Sequence, residues 1–176
     1  MSITIAGYSQ PNKTGSTPGN DAKVKWYTLD QAMKLNAKHP KKIFMDVFTD
    51  WCGWCKRYDA VTFANPVIAK YINENFYPVK FNAEQKEDIN FKGKKYINQN
   101  PNGNRQPHEL AVQFLEGKMS YPTVVFLNEK MDEITPVPGY MGPKDFEVLL
   151  SFFATDSYKS KKFDDYKGAF VGKVIE

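Results

Sequence analysis

Two cysteines, Cys52 and Cys55, are the residues of this chain whose types and spacing most clearly suggest chemistry. They follow an apolar run at residues 43–48 and precede a stretch with helical character, so we expect Cys52 at the start of a helix. Unpaired backbone N–H groups and the positive end of the helix dipole favour a thiolate at that position. Cys55 lies one turn later and can close a disulfide with Cys52. This arrangement favours dithiol–disulfide exchange, in which Cys52 attacks and Cys55 resolves the mixed disulfide.

Two other interpretations of the cysteine pair remain open, an inert short disulfide and half of a metal site. A structural disulfide more often joins residues distant in sequence, because a short loop removes little entropy from the unfolded chain. The chain has no further cysteine, and its two histidines, His39 and His108, lie far from the pair and from each other. We therefore expect no structural metal site and no scaffold of several disulfides.

Asp46 is the second residue that suggests chemistry. It interrupts the run Ile43 to Phe48, whose apolar residues at both odd and even positions are typical of a central strand buried on two faces. An ionised carboxylate is costly there, so the pKa of Asp46 should be raised, and the acid could accept the proton of Cys55. Lys80, the only charge in the strand that we predict around it, is a candidate partner. A hydrogen-bonded structural aspartate and an exposed strand lysine are the alternatives.

The elements that must position these residues alternate along the chain. Predicted helices cover residues 29–38, 53–62, 66–72, 107–115 and 143–153. Predicted strands cover residues 43–48, 76–82, 123–127 and 134–137, with a possible short edge strand at 23–27 and a small hairpin at 89–97. This order favours an α/β fold, a sandwich around a central mixed sheet of about five strands with helices on both faces.

The chain is long enough for one domain with some residues to spare. Residues 1–22 are rich in turn formers and are predicted to be a flexible N-terminal arm. The domain itself is predicted over residues 23–155, with a polar insertion at about 84–106. Residues 156–176 are charged with sparse apolar side chains, which suggests a tail or a loosely packed appendage.

Composition excludes several classes of protein. Apolar residues make up 41% and charged residues 25%, which excludes wholesale disorder, and no apolar run is long enough to cross a bilayer. The net charge of +4 comes from scattered basic residues, so we expect no nucleic-acid partner. The first ten residues lack the features of a signal peptide, which fits either a cytosolic protein or a mature secreted domain.

Three segments resemble the thioredoxin superfamily over roughly residues 23–155. The first is MDVFTDWCGWCK, with an acid six residues before the first cysteine and a tryptophan directly before it. The second, TFANPVIAKYINENFYPVKFNAE, is similar to the thioredoxin-like domains of bacterial envelope disulfide reductases. The third is Tyr121-Pro122-Thr123, which matches the superfamily's cis-proline loop, followed by Gly139 after the hairpin. The resemblance implies a thioredoxin-like three-layer sandwich.

The resemblance also implies roles for individual residues. Cys52 would be the nucleophile, Cys55 the resolver and Asp46 the proton acceptor, with Lys80 near it. Pro122 would be cis, and the backbone of Tyr121 would pair with an extended substrate segment. The implied substrate-binding residues are Trp51, Gly53, Trp54, Tyr121, Pro122 and Gly139. Of these, the aromatic side chains, together with Tyr140, would form an apolar collar around the sulfurs, although plain core packing is an alternative for each.

We therefore expect a thiol–disulfide oxidoreductase that reduces disulfides of protein substrates. It would take electrons from a dithiol donor, need no bound cofactor and not insert into a membrane. The resemblance favours the cell envelope, either the periplasm or outside the cell, over the cytoplasm.

Two departures from the superfamily pattern leave alternatives open. Gly53-Trp54 replaces the Gly-Pro of thioredoxins and the Gly-His of disulfide isomerases, so an isomerase or oxidase remains possible. The insertion at 84–106 could carry partner recognition, with His108 near the groove, or could be a solvated loop. A non-catalytic peptide-binding module and a metal carrier are the remaining alternatives.

Overall fold

A computed structural model describes residues 22–175, so the predicted arm at residues 1–22 lies almost wholly outside the described part. The helices are α1 (Leu29–Lys38), α2 (Gly53–Arg57), α3 (Pro66–Asn75), α4 (Glu109–Phe114), α5 (Pro143–Ala154) and α6 (Phe163–Ala169). The strands are β1 (Ile43–Phe48), β2 (Tyr77–Asn82), β3 (Ile89–Phe91), β4 (Lys94–Tyr96), β5 (Thr123–Leu127) and β6 (Glu133–Pro138). None of the helices between residues 22 and 175 is long and apolar enough to span a membrane.

The central sheet has four strands in the order β2-β1-β5-β6. β1 pairs in parallel with β2 and antiparallel with β5, and β5 pairs antiparallel with β6. The α/β sandwich with a mixed sheet is therefore confirmed, but the count of about five strands is not. Residues 23–27 contribute only an isolated bridge between Tyr27 and Val79, because helix α1 begins two residues after Tyr27 and takes the chain off the sheet edge.

Capping residues explain where two helices begin. Thr28 and Gln31 form a reciprocal capping box at the start of α1, and the Asn65 side chain accepts hydrogen bonds from Val67 and Ile68 before α3. The helix predicted at 53–62 lies in the right place but changes its hydrogen-bond pattern, because α2 continues as a π-helix over Tyr58–Phe63.

The two faces of the sheet carry separate cores. The first, which we call the acid face, carries Phe44, Asp46, Val124 and Phe126 and packs against the π-helix, α3 and α5. The second, which we call the hairpin face, carries Met45, Val47, Val79 and Phe81 and packs against α1, α4 and the β3–β4 hairpin. Helices thus cover both faces of the sheet, as predicted, and the structure is a three-layer sandwich.

The insertion is an ordered part of the hairpin face. The turn between β3 and β4 contains Lys92 and Gly93, both with positive φ (50° and 79°), a conformation that glycine adopts without steric cost. The loop after β4 is held by Asn98, whose side-chain amide donates to the carbonyl oxygens of Gln85 (3.1 Å) and Gln106 (2.9 Å).

Residues 156–175 pack against α5, although none of the residues of α6 is buried. The rings of Phe163 and Tyr166 in α6 both lie 5.3 Å from the ring of Phe152 in α5. The buried Glu147 of α5 accepts hydrogen bonds from the backbone N–H groups of Lys173 and Val174. The few apolar residues of the segment are spaced among many charges that face solvent, which is why the sequence suggests a tail or a loosely packed appendage.

Candidate active site

Cys52 and Cys55 form a disulfide at the point where the chain passes from β1 into α2. Their Cα atoms are 5.3 Å apart, and the Sγ of Cys52 accepts a hydrogen bond from the backbone N–H of Cys55 at 3.0 Å. Cys52 is therefore the N-cap of α2, as its predicted position at a helix start requires. Only 5% of Cys52 and 2% of Cys55 is exposed, so a partner must approach the sulfurs through a narrow opening.

Asp46 lies in the middle of β1 and is fully buried on the acid face. Its register partner in the parallel pair is Lys80, whose Nζ donates to Oδ2 of Asp46 at 2.6 Å. Burial raises the pKa of Asp46 to about 6, although the nearby Lys80 cation opposes that rise. The Oδ1 atom of Asp46 has no hydrogen-bond partner within the described residues. The sequence-based pairing of this acid with Lys80 thus matches the geometry.

Asp59 is a third member of this charged group, and sequence reasoning missed it. Its carboxylate also bonds to Lys80, and it is about half exposed on the π-helix. Lys80 is further held over the rings of Trp26, Phe48 and Phe63. No spacing rule links Asp59 to the buried acid, because the helix changes to π-helical hydrogen bonding over Tyr58–Phe63 and the α-helical period no longer applies there.

The Tyr121–Pro122 peptide bond is cis, as the resemblance implied. The carbonyl oxygen of Pro122 accepts a hydrogen bond from the N–H of Gly139 at 2.8 Å, which ties this loop to the end of β6. Gly139 has a φ of +98°, which a side chain at this position would strain. Gly53 shows no comparable constraint, because a Cβ there would meet no atom within 4 Å.

Trp51 stands between the loop and the insertion and is 48% exposed. Its Nε1 donates to both carboxylate oxygens of Glu84, at 3.0 and 3.1 Å. Its ring meets the edge of Tyr121 with centroids 5.8 Å apart, and the guanidinium carbon of Arg105 lies 4.5 Å from the ring centroid. Glu84 and Arg105, at either end of the insertion, were missing from the predicted site because neither is near the cysteines in sequence.

Trp54 lies between the two cysteines in sequence, makes a similar arrangement with a residue that follows β6, and is 58% exposed. Its ring lies 5.5 Å from that of Tyr140, and the guanidinium of Arg57 lies 5.8 and 5.7 Å from the Trp54 and Tyr140 centroids. Burial raises the pKa of Tyr121 to about 12. The aromatic residues of the predicted collar form two ring pairs, Trp51 with Tyr121 and Trp54 with Tyr140. That they surround the sulfurs stays a prediction.

His108 does not belong to this group. It is fully buried as the N-cap of α4, where its Nδ1 accepts a hydrogen bond from the N–H of Leu110 at 3.1 Å. Its ring meets the edge of Phe81 on the hairpin face, and burial lowers its pKa. The expectation that His108 lies near the groove is therefore wrong, because capping α4 turns its side chain into the core.

Comparison with known proteins agrees with this geometry. A family described as a thioredoxin-like domain matches residues 29–154. An uncharacterised protein of Caenorhabditis elegans is 26% identical over 159 residues, which cover 87% of this chain and 20% of that protein. The thiol:disulfide interchange protein DsbD of Pectobacterium atrosepticum is 22% identical over 146 residues, 80% of this chain and 22% of that protein. The chain thus spans about a fifth of the length of these curated relatives.

Among solved structures, a DsbH oxidoreductase superposes with a TM-score of 0.52 at 18% identity, covering 84% of this chain and 95% of the other. At 18% identity, this structural similarity supports the fold alone. It agrees with the mixed sheet and the two helical layers described above.

Proposed function

This chain belongs to the thioredoxin-like domain family, and we propose that it is a thiol–disulfide oxidoreductase that reduces disulfides of protein substrates. The observation that carries the proposal is the disulfide between Cys52 and Cys55 at the start of α2, beside the Pro122 loop and on the strand–helix connection that follows buried Asp46. An inert disulfide would need neither a buried acid nor exposed aromatic rings beside it.

The proposed reaction begins with the reduced protein. The Cys52 thiolate attacks one sulfur of a substrate disulfide, and a mixed disulfide forms while the other substrate sulfur leaves as a thiolate. The Cys55 thiol then loses its proton and attacks Sγ of Cys52, which releases the second substrate thiolate and leaves the Cys52–Cys55 disulfide. Two electrons pass to the substrate, and the proton of Cys55 together with one proton from solvent converts the two substrate thiolates to thiols. A dithiol donor protein then returns two electrons to this chain.

Asp46 is the proposed acceptor for the proton of Cys55. A carboxyl whose pKa is about 6 is mostly ionised at pH 7, and its raised pKa makes it a better proton acceptor than an ordinary carboxylate. The bond between Lys80 and Asp46 keeps a cation beside the carboxylate before the transfer. Asp59 also forms an ion pair with Lys80 and is exposed to solvent, so it is a second carboxylate beside the same lysine.

Binding of the substrate is assigned to the two aromatic pairs and to the backbone before Pro122. The backbone of Tyr121 is proposed to pair with an extended substrate segment as an added strand, as the resemblance implies. The name of the DsbD relative, an interchange protein, supports disulfide-bearing protein partners. A location in the cell envelope belongs to the same proposal.

Reduction of insulin disulfides tests the activity. Wild-type protein supplied with a dithiol should reduce insulin, and Cys52→Ser should not. Cys55→Ser should still make the first attack and should therefore accumulate a mixed disulfide with insulin that gel electrophoresis without reductant resolves. If wild type and Cys52→Ser are equally inactive and Cys55→Ser traps nothing, the chain is a binding module and the proposal is wrong.

Equilibration with glutathione separates a reductase from an isomerase or oxidase. A potential near about −270 mV for the cysteine pair would support the reductase, and one near about −120 mV would contradict it.

A further inference from the structure

The chain contains 24 basic side chains, but only two of them, Arg57 and Arg105, are arginines. Both guanidinium groups lie on the tryptophans beside the cysteine pair, Arg105 over Trp51 at 4.5 Å and Arg57 over Trp54 at 5.8 Å. Arginine is therefore confined to the rim of the site, and lysine is used elsewhere.

A guanidinium group can rest flat on an aromatic ring and still direct several N–H donors outward in its own plane. A lysine ammonium cannot do both. Among residues 22–175, the guanidinium groups of Arg57 and Arg105 lie over aromatic rings and form no hydrogen bond or ion pair, so the N–H donors of both are unpaired. Each arginine is exposed and is held in place by its ring without a carboxylate partner.

The carboxylates that lie near Arg105 are already engaged. Glu84 accepts both of its contacts from the indole N–H of Trp51, and Asp50 accepts from the side-chain amide of Asn82 at 3.2 Å. Glu84 thus fixes the ring on which Arg105 rests, and no ion pair joins the two in the described part of the chain, so the N–H donors of Arg105 stay available.

The two arginines lie on opposite sides of the cysteines. Trp51 contacts Glu84, which follows β2, whereas Trp54 contacts Tyr140, which follows β6. Strands β2 and β6 are the two edges of the sheet, and the cysteines follow the central strand β1. A segment laid across the site would therefore pass one guanidinium before its reacting cysteine and one after it.

We propose that Arg57 and Arg105 make this site selective for substrates with acidic side chains on both sides of the reacting cysteine. Each guanidinium would bind a carboxylate in a bidentate manner while resting on its tryptophan. The inference rests on the proposed reduction of protein disulfides and names the class of substrate. It also assigns substrate binding to the insertion, because the guanidinium of Arg105 reaches the site from the C-terminal end of that segment.

The test compares disulfide-linked homodimers of short peptides, each chain with a single cysteine. One peptide has Glu two residues before and two residues after the cysteine, a second has Gln there, and a third carries its two Glu at least six residues away. Stoichiometric reduced protein is mixed with each, the reaction is quenched with acid, and the released thiol is separated by chromatography. The third peptide controls for net charge, since the whole chain carries +4.

Wild-type protein should reduce the peptide with nearby Glu about tenfold faster than the other two, and high salt should shrink that ratio. Arg57→Gln and Arg105→Gln should each lower the ratio about threefold, and the double variant should bring it close to one. Arg105→Lys should fall between wild type and Arg105→Gln. Lys56→Gln is the matched control, because this exposed neighbour loses the same charge without lying on a tryptophan, and it should keep most of the ratio.

Equal rates for the two Glu peptides, or a ratio that the double variant leaves intact, would overturn the selectivity while leaving the reductase standing. If no peptide is reduced at all, the proposed function itself is wrong and the selectivity is wrong with it.

Discussion

The two faces of the central sheet are built from alternate residues of the same strands, but they differ in chemistry. On the hairpin face β1 contributes Ile43, Met45 and Val47, all apolar and fully buried. On the acid face the same strand contributes Phe44, Phe48 and, between them, the buried carboxyl of Asp46. The helix that begins at Cys52 continues as the π-helix, and the π-helix packs against the acid face.

Polar groups are also treated differently on the two faces. On the hairpin face, the buried Asn98 satisfies its amide with two backbone carbonyls and so braces the insertion. On the acid face, Oδ1 of Asp46 has no hydrogen-bond partner in the described part of the chain, and the acid shares one lysine with Asp59. On the hairpin face Nε2 of His108 also lacks a partner among the described residues, but burial lowers the pKa of His108 and so favours its neutral ring, whereas Asp46 carries a charge at pH 7. The contrast therefore lies in the buried charge, and it indicates that the acid face gives up stability for chemistry.

Replacement of Asp46 by Asn should stabilise the protein by about 3 kcal/mol at pH 7, the largest effect that we expect. The pKa rises from about 3.8 in the unfolded chain to about 6 in the folded protein. Between these values the folded state alone holds the proton, so wild-type stability falls as pH rises from about 4 to about 6 and then stays level. Urea unfolding of both proteins should therefore give curves that meet near pH 4 and separate by pH 6.

Asp59→Asn is the control for this stability change, because it removes a carboxylate from the same lysine at an exposed position. Its unfolding free energy should change by well under about 1 kcal/mol. An Asp46→Asn protein less stable than wild type at pH 7 would show that the acid contributes to the fold, and the contrast between the faces would then fail.

The same Asp46→Asn protein should resolve its mixed disulfide about 100-fold more slowly than wild type, because Cys55 loses its proton acceptor. The first attack by Cys52 should change little. In wild type, resolution should slow as pH falls below about 6, since protonated Asp46 can no longer accept a proton. Stopped-flow mixing with a substrate disulfide separates the two steps, and equal slowing of both would contradict the assigned role.

Most of the sheet and several helix limits could be predicted because their causes are local. The Thr28–Gln31 capping box sets the start of α1, and Asn65 with Pro66 sets that of α3. Asp46 stood out because a single charge broke an apolar run that is buried on both faces. These signals depend on residues a few positions apart, which a sequence displays directly.

The parts that could not be predicted depend on contacts between distant segments. Glu84 meets Trp51 across 33 residues, and Arg105 meets it across an even longer separation, so no spacing rule links them to the cysteines. The switch from α2 to a π-helix, which carries Asp59, likewise left no mark in the pattern of apolar residues. The edge strand at residues 23–27 was overpredicted because alternation alone does not show where a chain leaves a sheet.

The aromatic packing of the two faces offers the finest test of their difference. Phe44 on the acid face has five ring neighbours, whereas Phe81 on the hairpin face has two, although both are almost fully buried. Phe44→Leu should therefore lower the free energy of unfolding by about 1.5 kcal/mol more than Phe81→Leu, at about 0.5 kcal/mol for each additional aromatic pair. Both variants remove the same atoms, so urea unfolding compares the surroundings alone. Equal losses would mean that the aromatic cluster adds nothing beyond buried area, and the acid face would then differ from the hairpin face only in its charges.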